Sequence, residues 1–210
     1  MHTSLSTPSS SAPVAEIRVL FVCPTLAVGG AERQLAVLVP ALRERGFAPT
    51  VITLKHEGRF FHELRAEGIP VRFAGMRSRA DVRGARRALA LARAAEPHVV
   101  VTSSIDAQVI GHRMARNAGA PHLTVEHGGP GLRRAPHRRA LLRLVAPRID
   151  QVIAVTAAQV PGLVALGFRE SRVRVIPNGI PEPEPRRGRT EVREELGVED
   201  GEVLALLAAT

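Results

Sequence analysis

The chain has almost no aromatic residues, a single cysteine and no long apolar run. Tryptophan and tyrosine are absent from its 210 residues, and six phenylalanines make up the whole aromatic content. Because Cys23 has no second cysteine to pair with, an internal disulfide is excluded, and its place at the end of an apolar run predicts a buried, unreactive thiol. No uninterrupted apolar stretch approaches the roughly 20 residues that a membrane-spanning helix needs. These absences argue against a disulfide-stabilised scaffold and against an integral membrane protein.

Lysine is almost absent as well, since Lys55 is the only one in the chain. The formal net charge is nevertheless +9, so the basic character comes almost entirely from arginine. Such a balance suits phosphate-bearing ligands, an anionic membrane surface or nucleic acid. The alternative is that the arginines belong to solvated helix faces. Because nucleic-acid binding rests here on charge alone, we predict no nucleic-acid partner.

The first 15 residues differ in composition from the rest of the chain. Residues 1–15 are rich in serine, threonine and proline, and they lack the basic and apolar segments of a signal peptide. We expect a disordered tail there. A chain with one cysteine fits a reducing compartment, so the sequence predicts a cytoplasmic protein.

Short apolar runs alternate with helical patterns from residue 16 to residue 176. The first run, Ile17–Cys23, predicts a buried strand, and Leu35, Leu38, Val39 and Leu42 follow with the spacing of one helix face. Further strands are predicted at residues 50–54, 71–73, 98–102, 122–126, 151–155 and 172–176. This alternation predicts an α/β domain, in which helices cover both faces of a parallel sheet.

Two adjacent glycines, Gly29 and Gly30, join the first strand to the first helix. At such a turn the backbone N–H groups of the helix start point into a crevice and attract phosphate or other anions. Glycine also lets a ligand approach the backbone closely. Glu32, in the first helical turn, is either a ligand contact or a complement to the helix dipole. The turn predicts a binding site at one end of the sheet, and a tight turn without a ligand is the alternative.

The composition changes after Ile176. Residues 177–190 are rich in proline and arginine and favour neither a helix nor a strand, so we predict an interdomain linker there. Residues 191–210 contain a short helical pattern and an apolar run, residues 202–208, that predicts a strand. Because a lone strand has nothing to pair with, residues 191–210 are expected to begin a truncated carboxy-terminal domain.

Five motifs follow one another along the chain. They are GGAERQL at residues 29–35, EPHVVV at 96–101, GAP followed by EHG at 119–128, DQVIAVT at 150–156 and VIPNGI at 175–180. Each is weak alone. Together, over about residues 16–205, they resemble the amino-terminal half of retaining family 4 glycosyltransferases of the GT-B architecture.

The resemblance implies a Rossmann-like domain over residues 16–176 that binds the acceptor, with the active site in a cleft against a second, nucleotide-sugar-binding domain. It implies transfer of a hexosyl-type sugar, with retention, from a nucleotide-sugar to a carbohydrate, lipid-linked or small-molecule acceptor. The donor is a substrate, and no cofactor is implied. Because the donor-binding residues of the family lie in the carboxy-terminal domain, we expect the isolated chain to be inactive.

The resemblance also assigns roles to residues near the first and fifth strand ends. His127 matches a histidine that lies against the transferred sugar, and we predict it as the catalytic residue, because a neutral imidazole can donate one hydrogen bond and accept another. Gly29 and Gly30 match the turn that closes over the donor phosphates. Glu32 and Gly128 are predicted to bind substrate beside them. The alternative for His127 is a side chain that only caps the strand end.

Three more residues are predicted to bind substrate. Ser103 and Ser104 follow the fourth predicted strand, where their hydroxyls could contact an acceptor. Alternatively, they cap the next helix, as serine often does. Asn178 matches the interdomain turn near the donor, and the alternative is a turn that needs the backbone freedom of an Asn-Gly pair.

Two further predictions concern metals and membranes. The sequence contains no Asp-x-Asp motif and no His/Cys cluster with ligand spacing, so no metal site is predicted. Residues 132–148 interleave arginines with leucines, which could dock on an anionic leaflet. A peripheral position at the inner membrane face is therefore one expectation, and a solvated outer helix is the alternative.

Two function classes other than a transferase also occur on α/β domains of this kind. A dinucleotide-dependent dehydrogenase needs G-x-G-x-x-G after its first strand and an acidic residue after its second. The chain has Val28-Gly29-Gly30-Ala31 and Lys55-His56 at those places, so this class is excluded. A non-catalytic module that binds an acceptor or a partner, derived from a truncated glycosyltransferase, stays open as the alternative.

Overall fold

The computed structural model describes residues 16–127, 136–179, 182, 187–199 and 201–205. The chain divides into two compact units, residues 1–179 and residues 180–210. The predicted tail, residues 1–15, and the predicted substrate contact Gly128 both lie outside the described residues.

Seven parallel strands form one sheet in the first unit, in the spatial order β3-β2-β1-β4-β5-β6-β7. Phe21 of β1 lies in register between Val51 of β2 and Val101 of β4. The sheet confirms the predicted fold class. The strands are β1 (Ile17–Cys23), β2 (Phe47–Thr53), β3 (Val71–Phe73), β4 (Val99–Ser103), β5 (His122–Glu126), β6 (Gln151–Ala154) and β7 (Val173–Val175).

Helices cover both faces of the sheet. Val39 and Phe61, from the first two helices, pack with Phe21 on one face, while Ala88 and Met114, from the next two, pack in a separate cluster on the other. Parallel strands require such crossover helices. The helices of the described residues are α1 (Gly30–Glu44), α2 (Arg59–Ala66), α3 (Val82–Ala94), α4 (Ile105–Ala118), α5 (Pro136–Val145), α6 (Val160–Ala165) and α7 (Arg189–Glu195).

The two faces of the sheet are covered to different extents. We call the face that carries Phe21 the front face and the face that carries Leu20 the back face. On the back face, Leu142 of α5 and Leu163 of α6 pack with β6 and complete the cover. On the front face, Val125 of β5 stays only half-buried, beyond the edge of α1.

The strand order creates a switch point between β1 and β4. From β1 the chain moves outward through β2 to β3, and it then returns to β4, on the other side of β1, and continues outward to β7. In open parallel sheets, ligands bind outside the carboxyl ends of the strands at such a point. The fold therefore places a candidate site beyond Cys23 and Ser103.

The second unit has one described helix, α7. Arg187 contacts Glu195 at the end of that helix. Residues 202–205, the described part of the predicted strand 202–208, do not form a strand, because a strand needs a hydrogen-bonded partner to persist.

Candidate functional site

A groove of about 280 Å³ lies on the front face, between α1 and the strands β4, β5 and β6. Leu35 and Leu38 of α1 form one wall, and Val101, Val125 and Ile153 form the floor. Residues 176–179, which follow β7, also line it. We call this cavity the α1 groove. Its mainly apolar lining, open at the carboxyl ends of the strands, is typical of a small-molecule site.

Five polar residues line the α1 groove: Gln34, Thr102, Ser103, His127 and Asn178. They come from α1, from the ends of β4 and β5, and from the segment after β7. The structure therefore brings together three of the residues predicted as site residues, namely Ser103, His127 and Asn178. Sequence reasoning missed Gln34, although it lies in the GGAERQL motif, one helical turn after Gly30.

The glycine turn stands at one end of the α1 groove, where Ala31 lines the cavity. Gly29 is the N-cap residue of α1, and no side chain caps that helix start. A Cβ atom at Gly30 would meet nothing within 4 Å, so open space surrounds this position. The first N–H groups of α1 lack intrahelical partners, and they are thus available to a ligand at the turn.

Glu32 lies between the glycine turn and His127. Its carboxylate approaches Gly29 so closely that a Cβ atom there would come within 2.3 Å of Glu32 Oε2. The same carboxylate favours the protonated form of His127 and disfavours the thiolate of Cys23. Glu32 is therefore near the ends of both β1 and β5, but it does not line the α1 groove.

The loop before the glycine turn is fastened to the connection between β2 and α2. Leu26 is fully buried, its N–H donates to Glu57 O at 3.0 Å, and its carbonyl accepts from Phe60 N at 2.9 Å. Gly58 has a φ of +81°, and a Cβ atom there would lie 2.3 Å from Ala27 N. Gly58 is required both for its left-handed conformation and for this close approach.

His127 follows β5 and faces the α1 groove. Its Nδ1 is buried and has no hydrogen-bond partner among the described residues. Burial lowers the pKa of His127 below its ordinary value, and Glu32 opposes this effect. The ring is therefore mainly neutral at neutral pH, with one nitrogen able to donate and the other able to accept.

The two serines after β4 have different environments. Ser103 lines the α1 groove, whereas Ser104 is the N-cap residue of α4 with a φ of +74° and a side chain that makes no cap hydrogen bond. The alternative that Ser104 caps the next helix is therefore wrong for its side chain, because an N-cap residue that caps through its side chain normally has extended backbone with negative φ. A non-glycine residue with positive φ is uncommon and costs conformational energy.

A hydrogen-bonded polar cluster lies behind the groove on the back face. Thr102 Oγ1 and His122 Nε2 are 2.9 Å apart, and Asp150 Oδ2 accepts from His122 N at 2.9 Å. Gln108 of α4 donates to both Thr124 and Glu126.

Burial shifts the pKa values of two side chains in this cluster. It raises the pKa of Glu126 to about 7 and lowers the pKa of His122 to about 4. His122 is therefore neutral at neutral pH, whereas Glu126 changes from a neutral acid to a carboxylate around that pH.

Cys23 is buried at the end of β1, as predicted. Burial and the nearby Glu32 raise the pKa of its thiol, so the thiolate is not available and the residue is inert.

The described part of the chain lacks two features, a metal-ligand cluster and a membrane-spanning helix. Within it, no three or more His, Cys, Asp or Glu side chains are grouped so that they could hold a metal ion. No helix there has both the length and the apolar composition to cross a bilayer.

Solved structures share this architecture. HepE of Anabaena, in complex with UDP, superimposes with a TM-score of 0.72 at 21% identity, over 86% of this chain and 50% of HepE. A glycosyltransferase from Rickettsia africae gives a TM-score of 0.63 at 17% identity, over 89% of this chain and 51% of that protein. MurG of Acinetobacter baumannii gives a TM-score of 0.54 at 16% identity, over 78% of this chain and 46% of MurG. The chain thus spans about half the length of these structures.

Sequence comparison identifies the family. No curated protein matches the chain significantly. The family model of Glycosyltransferase Family 4, however, matches residues 28–182, a range that includes the glycine turn, most of the lining of the α1 groove and the segment after β7. The chain therefore belongs to Glycosyltransferase Family 4, and its fold is that of the amino-terminal half of a GT-B glycosyltransferase.

Proposed function

We propose that the chain supplies the acceptor-binding half of a retaining glycosyltransferase that transfers a hexosyl-type sugar from a nucleotide-sugar. The α1 groove is the observation on which this proposal depends. It opens at the switch point of the sheet and collects His127, Ser103, Gln34 and Asn178 from four separate segments around an apolar floor.

The residues of the groove have distinct roles in this proposal. His127 donates or accepts a hydrogen bond at the transferred sugar through its unpartnered ring nitrogen. The turn at Gly29 and Gly30, with Glu32, faces the donor side of the cleft, where uncapped helix N–H groups favour phosphate. Ser103 and Asn178 contact substrate hydroxyls. Gln34 adds an amide that can both donate to and accept from an acceptor.

The donor is proposed to be a nucleotide-sugar, and no other cofactor is required. Solved structures of HepE contain UDP in one case and UDP-glucose in another, and the second overlaps 87% of this chain with a TM-score of 0.65 and 22% identity. This likeness supports a nucleotide-sugar as donor. Since the chain spans about half of these proteins, we expect the donor-binding residues to come from a carboxy-terminal half, and the isolated chain to be inactive.

The acceptor is a carbohydrate, a lipid-linked sugar or a small molecule. The apolar floor of the α1 groove favours an acceptor with an apolar portion, because burial of apolar surface contributes roughly 25 cal/mol per Å². Leu144 is 64% exposed on α5, beside the exposed Arg143 and Arg148. An exposed leucine among arginines supports peripheral contact with an anionic inner membrane face, in a protein that we propose to be cytoplasmic.

A transfer assay tests the proposal. The chain is mixed with supplied carboxy-terminal glycosyltransferase halves and with labelled UDP-glucose, UDP-galactose, UDP-N-acetylglucosamine or GDP-mannose. We expect label in lipid or glycoside acceptors only when both halves are present. His127→Ala should reduce the rate by about a hundredfold, a typical loss for one catalytic hydrogen-bonding group.

The matched control is His56→Ala, because His56 is exposed and does not line the α1 groove. Equal rates for the His127 and His56 variants would contradict the role of His127. Binding of an acceptor in the groove, with no transfer from any donor although both halves are folded, would favour the alternative of a non-catalytic acceptor-binding or partner-binding module.

A further inference from the structure

Three buried side chains connect α4 to the last residue of β5, directly behind the α1 groove. Gln108 is fully buried, and its Nε2 donates to Glu126 Oε1 and, at 2.8 Å, to Thr124 Oγ1. Thr124 Oγ1 donates in turn to Thr102 O at 3.2 Å. We call Gln108, Thr124 and Glu126 the crosstie.

The donors of the crosstie determine how the Gln108 amide is oriented. A threonine hydroxyl has one hydrogen, and Thr124 gives it to the carbonyl of Thr102. Thr124 Oγ1 must therefore accept from Gln108, which places Nε2, and not Oε1, toward β5. Gln108 Oε1 then points elsewhere and has no partner in the described part of the chain. Both amide hydrogens are used to hold β5.

Glu126 is an unusual partner for this amide because it is an acidic residue with only 9% exposure. Burial raises the pKa of Glu126 to about 7, and the hydrogen bond from Gln108 opposes this shift. No charged side chain among the described residues contributes to it: α4 presents Gln108, and Ala154 pairs with Glu126 on β6. The carboxyl is therefore neutral in mildly acidic solution and becomes a buried, unpaired charge in alkaline solution.

We propose that the crosstie is a positioning device for His127, holding the end of β5 while Glu126 is a neutral acid and releasing it when the carboxyl ionises. Ionisation strengthens the hydrogen bond from Gln108, but the cost of burying a charge with a single amide partner is the larger effect. The exposed fraction of Glu126 gives the carboxylate a route to water. Glu126 and His127 are consecutive, and consecutive residues of a strand point to opposite faces. Rotation of the Glu126 backbone therefore moves the imidazole in the groove.

The inference rests on the proposed function only for the catalytic importance of His127, and its test does not require activity. The His127 ring is followed by NMR in the full chain across neutral pH, and its signal is assigned by its loss in His127→Gln. We expect one inflection from His127 itself, below its ordinary pKa because of burial, and a second near pH 7 from Glu126.

Glu126→Gln keeps the size of the side chain and its acceptor oxygen but removes the ionisation. We expect the second inflection to disappear in this variant and to persist in the matched control Glu67→Gln, whose side chain is exposed. A second inflection that survives Glu126→Gln, or one that is missing from the unmodified chain, would overturn the proposal.

Gln108→Met tests the positioning step itself, since it breaks the crosstie at every pH. At about pH 6 the His127 signals of this variant should move toward those of the unmodified chain at about pH 8.5. Unmoved His127 signals in a folded variant would show that the crosstie does not position the ring. If Gln108→Met does not fold, the Glu126→Gln titration still decides the question.

The pH dependence of the transfer rate distinguishes a failure of this inference from a failure of the proposed function. In the two-half transfer assay, the alkaline decline of the rate should be weakened by Glu126→Gln and unchanged by Glu67→Gln. If no transfer occurs while the second NMR inflection is present, the proposed function fails and the crosstie stands. If transfer occurs without that inflection, the crosstie fails alone.

Discussion

The two sides of β5 reverse the usual relation between polarity and burial. Toward the α1 groove the strand presents Leu123 and Val125, which are apolar yet half-buried. Toward the back face it presents His122, Thr124 and Glu126, which are polar yet buried. The difference arises because α4 covers the back face and supplies hydrogen-bond partners, whereas the front face beyond α1 stays open. Among the described residues, burial therefore follows helix cover in this strand.

The largest expected effect comes from separating α4 from the back face. In Gly111→Ala the new Cβ atom would lie 2.2 Å from Thr102 Cγ2, so either the helix or β4 must shift. We expect the free energy of unfolding to fall by about 3 kcal/mol, measured by urea denaturation. Gly162→Ala is the control, because nothing lies within 4 Å of that position. Equal stability of the two variants would contradict the close packing of α4.

Ionisation of Glu126 should lower the free energy of unfolding as the pH rises. Its pKa is raised from 4.5 to about 7 in the folded chain, so the folded state holds the proton more tightly than the unfolded state. Stability from this group is fully present below about pH 4.5 and declines until about pH 7. The loss amounts to roughly 3 kcal/mol, and Glu126→Gln should remove this part of the slope in urea melts. An unchanged slope would contradict the buried carboxyl.

His122 should have the opposite effect, so that the free energy of unfolding falls as the pH falls. Its pKa is lowered from 6.5 to about 4, chiefly by burial, so the unfolded state binds the proton more readily. Stability is lost as the pH falls from about 6.5 to about 4, by roughly 3 kcal/mol. The loss is best measured in Glu126→Gln, where the carboxyl does not offset it. It should shrink in His122→Gln and persist in His56→Ala.

The smallest expected effect concerns the front face. His127→Ala should change the free energy of unfolding by about 0.5 kcal/mol or less, because the ring is half-exposed and its Nδ1 has no partner among the described residues. Thermal unfolding of His127→Ala, compared with that of the control His56→Ala, measures this change. A large loss of stability would mean that His127 serves the fold, and would favour the alternative that it only caps β5.

The fold was predictable because its signals are local. The apolar run of β1, the spacing of Leu35 and Leu42 and the repeated alternation specify parallel strands and crossover helices, and the motif order identified the family. Ser103 and His127 line one groove because they follow neighbouring parallel strands, whose carboxyl ends meet at one edge of the sheet. These inferences need only periodicity and strand order.

The remaining features depend on long-range contacts that periodicity does not contain. The Gln108–Glu126 hydrogen bond joins residues 18 positions apart, and Glu126 has the sequence context of any strand-end glutamate. The conformation of Ser104 could not be inferred, because serine is usually a cap and rarely has positive φ. The strand predicted at residues 202–208 was not found at 202–205, since its apolar pattern lacked the partner that a strand requires.

The fastening of Leu26 has a consequence for how tightly the chain can bind. A mobile loop loses conformational entropy when it closes on a ligand, and that loss, about 1–2 kcal/mol for each backbone residue ordered, subtracts from affinity. Leu26 is already held on both sides by Glu57 and Phe60, so the glycine turn beyond it is ordered before any ligand arrives. If the turn binds phosphate as proposed, Gly58 contributes to the affinity without lining the α1 groove, because it permits this fastening.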